Sequence, residues 1–132
     1  MCTEKVSTPN RHNIDLGASG EGLARKFLKK LGYSILFNNY RSYLGEIDIV
    51  ARDKDTICFI EVKTRSNRNF GLPQEAVTRR KQRQLTRLAA EFLKEKNLSE
   101  QSARFDVVSV ILPQGGLEPE IEIFKNAFSI EE

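Results

Sequence analysis

The sequence has one histidine, His12, and it lies in a polar stretch at the start of the chain. Chemistry that depends on imidazole is thereby nearly excluded, so any catalysis must come from carboxylates, lysine or a metal ion. Cysteine is also scarce. Cys2 stands at the chain start and Cys58 inside an apolar run, too few for a disulfide framework or a thiolate zinc site. No segment approaches the roughly 18 consecutive apolar residues of a membrane span. Residues 1–13 lack the apolar core of a secretory signal, so a cytoplasmic protein is expected. Aromatic residues are 8% of the chain, and so few argue against a dedicated reader of single strands.

What is present suits one domain. The chain has 132 residues, 39% apolar and 30% charged, which fits a single globular core. Residues 1–13 read as a flexible leader and 14–132 as the domain. The net charge of +3 is modest, but its distribution is uneven. Lys63, Arg65, Arg68, Arg79, Arg80, Lys81, Arg83 and Arg87 face a single acid, Glu75, in one stretch, whereas the segment after Pro113 is acidic. The basic stretch is either a surface for a polyanion or a solvated helix face.

Hydrophobic spacing predicts a helix over about Leu16–Leu31, with Leu23, Ala24, Phe27, Leu28 and Leu31 on one stripe and Gly32 as its stop. Tyr33–Phe37 reads as a short strand ended by an Asn38-Asn39 turn. Glu46–Arg52 and Ile57–Thr64 read as two strands joined at Asp53-Lys54-Asp55-Thr56. Ser66–Pro73 is loop. A second helical region covers about Gln74–Asn97, with Thr78 capping a fresh start inside it. Arg104–Leu112 and Glu120–Phe124 complete the strands, the last at an edge. The order αβββαββ implies an α/β fold, a mixed β-sheet flanked by helices on both faces.

One strand carries chemistry. Along Ile57–Lys63, residues Phe59, Glu61 and Lys63 share a face. Asp48 interrupts the preceding apolar strand in the same way. A two-residue turn at Lys54-Asp55 pairs Asp48 with Glu61, their Cβ atoms about 4.5–5.5 Å apart, whereas an odd-length turn turns Asp48 to the other face. Two carboxylates so close need a proton or cation between them. Lys63 supplies part of that charge and a divalent ion supplies more. Magnesium takes one or two carboxylates with waters and phosphate oxygens. The alternative is a structural salt-bridge ladder on a solvated strand. Glu21, in step with Ala24 and Leu28, reaches the edge of the buried face or is simply an acid favoured by the helix start. Lys81, in step with Leu85, Leu88 and Phe92, points toward the sheet, to meet a phosphate or to snorkel.

Gly45-Glu46-Ile47-Asp48 followed by Phe59-Ile60-Glu61-Val62-Lys63-Thr64-Arg65 resembles the YraN family of nuclease-like proteins in the PD-(D/E)XK superfamily. Gly20-Glu21, Lys81, Arg104-Phe105-Asp106 and Asn126-Ala127-Phe128 extend the match over nearly the whole chain after the leader. Ile47 stands where the motif's name has proline. The resemblance implies a restriction-endonuclease-like fold, Asp48 and Glu61 as ligands of Mg2+ or Mn2+, Lys63 as the catalytic lysine and Glu21 as a helix acid of the same site.

The expectation is therefore a metal-dependent endonuclease acting on DNA, including branched or repair-type structures. Arg65, Arg68, Arg79, Arg80, Lys81, Arg83 and Arg87 would hold the backbone, contacts that carry no sequence information. A symmetric substrate would call for a homodimer. The competing expectation is a non-catalytic module that binds nucleic acid or a repair partner. A third is a structural protein whose charges are merely solvated.

Overall fold

In the computed structural model, residues 16–67, 69, 71–115 and 117–128 are described. The expected leader, His12, Cys2 and Arg68 lie outside that set. Helix α1 (Leu16–Lys30) is followed by strands β1 (Ser34–Ser42), β2 (Gly45–Asp53) and β3 (Thr56–Arg65). A 3-10 turn (Pro73–Ala76) leads into α2 (Arg79–Glu95), then β4 (Ser102–Ile111) and β5 (Glu120–Phe128). The five strands lie in sequence order in one sheet. β3 and β4 run parallel and the other pairs antiparallel. A parallel pair needs a long crossover, which α2 provides.

Each helix buries one stripe on one face. Leu85, Leu88, Ala89 and Phe92 of α2 pack on Val50, Ile57, Phe59, Phe105 and Val107. Ala24 and Leu28 of α1 pack on Ile49, Ala51, Cys58, Ile60, Val108 and Val110 of the opposite face. α1 stops at Gly32, whose φ of 98° lets the Gly32 and Tyr33 amides turn back to the Lys29 and Leu28 carbonyls, both at 3.0 Å. α2 starts after Thr78, whose Oγ1 accepts from the Lys81 amide at 3.1 Å. The residues before it form the separate 3-10 turn, so the second helical region is two pieces.

Two sequence expectations need correction. Asn38-Asn39 is not a turn: β1 continues through it to Ser42. Asn39 adopts a φ of 54° inside the strand, a left-handed kink that asparagine tolerates better than most residues. Glu21 is not in the first turn of α1, which has no acid. The helix dipole fades beyond that turn, so it does not account for Glu21.

Candidate active site

The register of β2 and β3 follows from their short turn. Asp53 pairs with Thr56 across Lys54-Asp55, and the ladder runs back to Ile49 opposite Ile60. Lys54 takes the left-handed conformation, at φ 58°, that the tight reversal needs. Asp48 and Glu61 come next in that even register. At this point the ladder ends.

Ile47 belongs to the core under α2, whereas Ile49 belongs to the core under α1. Residues two apart on a regular strand share a face, so β2 swivels between them. The swivel occurs opposite the kink at Asn39, since Asn38 pairs with Ile49 and Tyr40 with Ile47. Asp48 sits on the swivel, and its Oδ2 accepts the Val62 amide at 2.8 Å. A side chain has taken a backbone donor of β3, and the two strands part beyond it.

Glu61 and Lys63 stand on the α2 face of β3, as alternation requires. Lys63 Nζ lies 3.6 Å and Lys81 Nζ 4.0 Å from Glu61 Oε2, with the Glu61 side chain only 10% exposed. Lys81 thus points inward from the buried stripe of α2. Both separations exceed those of tight charge-assisted hydrogen bonds, so each ammonium retains donors for a further anion.

Glu21 arrives from the other face. Gly20 makes this possible, because a Cβ there would overlap the Thr64 hydroxyl of β3. Glu21 bears electrostatically on Asp48 from this side. With its amide nitrogen turned toward the acids, Asn39 donates to Glu21 Oε1 at 3.2 Å and to Glu46 Oε2 at 2.8 Å. Glu46, which also pairs with Arg41 at 3.4 Å, was missed as a member of this cluster. Its sequence signals are its place two residues before Asp48 and within the Gly45–Asp48 motif.

The electrostatics follow from burial and crowding. Burial, then Asp48 and Glu46, push the Glu21 carboxyl up to about 7. Burial raises Asp48 against the opposing Val62 hydrogen bond, with Glu46 adding to the rise. Burial and Asp48 raise Glu61, while Lys81 and Lys63 pull it down. All three acids favour a proton or a cation. Among the described residues no three carboxylate, imidazole or thiolate groups form a metal-ligand set. The acids that could offer oxygens to a hard cation here are Asp48 and Glu61, with water and phosphate oxygens completing such a shell.

The basic residues separate into two groups. Arg80, Lys81, Arg83 and Arg87 line a cleft of about 590 Å3 with Thr78, Gln84, Tyr43 and Leu44. Lys81 is shared between this cleft and Glu61. Arg65 lies elsewhere: it donates to the Gly71 carbonyl at 2.8 Å and lines a second cleft of about 380 Å3 with Ser109 and Glu122. Arg79 is exposed and does not line either cleft.

Other residues of the sequence motif hold the fold. Arg104 Nε donates to both Asp106 carboxylate oxygens at 3.0 and 3.2 Å, and its Nη2 donates to Tyr33 Oη and Asp53 Oδ2, both at 2.9 Å. Asp106 Oδ1 also accepts the Asn126 amide at 2.8 Å. Asn126 has a φ of 53°, and the β4–β5 register shifts between Phe105 and Val107. These residues fasten the edge strand.

No helix among the described residues is long and apolar enough to cross a membrane. Residues 20–110 match the profile of "Uncharacterised protein family UPF0102". A UPF0102 protein of Geotalea daltonii is 49% identical over 118 residues, 89% of this chain and 92% of that protein. One from Caldicellulosiruptor saccharolyticus is 47% identical, covering 86% and 97%. One from Rhodococcus opacus is 44% identical, covering 89% and 98%. With matches that run through both helices and all the strands of the site, this chain belongs to the UPF0102 (YraN) family.

Proposed function

We propose that this protein is a magnesium- or manganese-dependent nuclease that hydrolyses DNA phosphodiesters on a restriction-endonuclease-like fold. The observation that carries this reading is the opening between β2 and β3. Asp48 is held there by the Val62 amide and bears on Glu61 beside Lys63, and Lys81 links Glu61 to a cationic cleft. A solvated salt-bridge ladder would not need buried acids at the mouth of such a cleft.

The first turn of α2 supports the same reading. Arg79, Arg80 and Lys81 stand at the positive end of a helix with no acid in that turn. Such placement opposes the dipole; Glu61 beside Lys81 offsets part of that, and a bound phosphate would offset more. Arg80, Arg83 and Arg87 hold the nucleic-acid backbone. Lys81 and Lys63 neutralise the phosphate beside Glu61. Asp48 and Glu61 would hold the ion, and Lys63 positions the attacking water. When bound, the ion supplies polarisation of the phosphodiester and a lowered water pKa. Glu21, its carboxyl pushed up to about 7 by burial and by Asp48, is a reserve acid beside that ligand.

A second reading is a non-catalytic nucleic-acid-binding module. It is favoured by the two ammoniums already balancing Glu61. One panel separates the two. Duplex, nicked, flapped and four-way DNA, and RNA, are incubated with magnesium or manganese and with wild type, Asp48→Ala or Lys63→Ala. Cleavage by wild type alone supports the enzyme. Cleavage by all three indicates a contaminant, and binding without cleavage selects the module.

A further inference from the structure

We infer that Tyr43 is a base-stacking platform that directs the cationic cleft toward DNA with unpaired bases. This rests on the nucleic-acid reading above and names the form of substrate. Tyr43 is 91% exposed, the most exposed of the large hydrophobic residues among those described. It stands in the tight connection between β1 and β2. A tyrosine in a flexible loop would mean little. This one is presented by a fixed support.

The support is specific. Gln84 of α2 donates to the Leu44 carbonyl at 2.6 Å, and the Leu44 amide donates to Ser42 Oγ at 3.1 Å. Gly45 has a φ of 137°, and a Cβ there would stand 2.6 Å from Gln84 Nε2. The hairpin tip is therefore held onto α2 at Leu44 and Gly45, the residues just after Tyr43. Ordering the tip before binding reduces the entropy lost on contact.

Tyr43 also has the right neighbours. It lines the same cleft as Arg80, Arg83 and Arg87, which follow one another at helical spacing. From Arg80 to Arg87 is about 10 Å at the helical rise, so the three cations follow a short length of backbone. Cations tracking a backbone beside an aromatic platform are what single-strand binding uses, with about 1–3 kcal/mol per stacked base. Bases inside a duplex already stack on each other and leave the ring nothing to face. The scarcity of aromatics in the sequence concealed this, since one well-placed ring suffices.

The test is binding in EDTA, so that cleavage plays no part. A single-stranded DNA carrying a fluorescent purine analogue and the blunt duplex of the same strand are titrated with wild type, Tyr43→Ala, Tyr43→Phe and the Arg83→Ala/Arg87→Ala double variant. Wild type should prefer the single strand and alter the analogue's fluorescence. Tyr43→Ala should lose at least about 5-fold on the single strand, with duplex affinity unchanged, and Tyr43→Phe should retain binding. Equal single-strand affinity for Tyr43→Ala and wild type overturns the inference and leaves the nuclease reading standing. An equal loss on both DNAs also overturns it, making Tyr43 a backbone contact. If wild type binds neither DNA, or the double arginine variant binds as wild type does, the cleft reading falls and this inference with it.

Discussion

Gly20 of α1 lies against the Thr64 side chain of β3 with no room between them for a β-carbon. The contact seats α1 at the height where Glu21 meets Asp48. Gly20→Ala should destabilise the fold by about 1–3 kcal/mol, the usual cost of overpacking, measured by urea unfolding. Thr64→Ala in the same chain should recover part of the loss, because it removes the hydroxyl and methyl groups that the new carbon strikes. A Gly20→Ala variant with wild-type stability would refute the tight seating.

The acid cluster makes stability depend on pH. The Glu21 carboxyl moves from about 4.5 to about 7 on folding, so the folded state holds its proton more tightly than the unfolded chain. That stabilisation is complete below the unfolded value and is lost as pH rises toward the folded one. Asp48 and Glu61 are shifted in the same direction. Asp53 has the opposite sign, since Arg104 holds it below its ordinary range, and its contribution is lost only in stronger acid. Urea midpoints should fall between pH 4.5 and 7. Glu21→Gln should flatten that slope and be more stable than wild type above it; an unchanged slope would exclude Glu21 as its source.

A divalent ion should reverse the penalty. At ten times its dissociation constant a ligand adds about 1.4 kcal/mol, roughly 4–8 °C in melting temperature for a chain near this size. Magnesium or manganese should give such a shift, larger at higher pH than at lower, because burial raises the Asp48 and Glu61 carboxyls and the ligands must be ionised. Glu61→Ala should abolish it. A shift of the same size in Glu61→Ala would place the ion elsewhere.

Arg104 and Asp106 predict the converse, a large loss of stability with binding untouched. Asp106 is fully buried and paired with Arg104 at 3.0 Å. Removing one partner of a buried pair costs about 3–5 kcal/mol. Asp106→Ala should therefore lower the melting temperature steeply, while Asp106→Asn, tested where it remains folded, keeps wild-type affinity for nucleic acid. Lost affinity in folded Asp106→Asn would mean that this network shapes the cleft.

The elements were readable where one physical rule dominates. Stripes at helical spacing gave both helices, Thr78 gave the restart of α2, and the Lys54-Asp55 turn gave the β2–β3 register. The order αβββαββ and the helices on opposite faces followed. The swivel at Asp48 was hidden, because Ile47-Asp48-Ile49 has the alternation of a flat strand. Only tertiary packing reveals that its two isoleucines enter different cores. Asn39 looked like a turn because a left-handed residue within a strand uses the same amino acid. Glu46 gave no sign of its link to Glu21, which passes through Asn39 from a third element. Arg104 and Asp106 matched the motif without revealing that their contacts fasten a sheet edge.

The parting of β2 from β3 has one more consequence. Glu21 comes from one side of the sheet and Lys81 from the other, and both bear on the acids at Asp48 and Glu61. The gap is a window through the sheet. A phosphate drawn in at the front makes ionising Glu21 harder, and a cation makes it easier. The two faces are in electrical contact here, so any ion bound at the front would change how many protons the back retains.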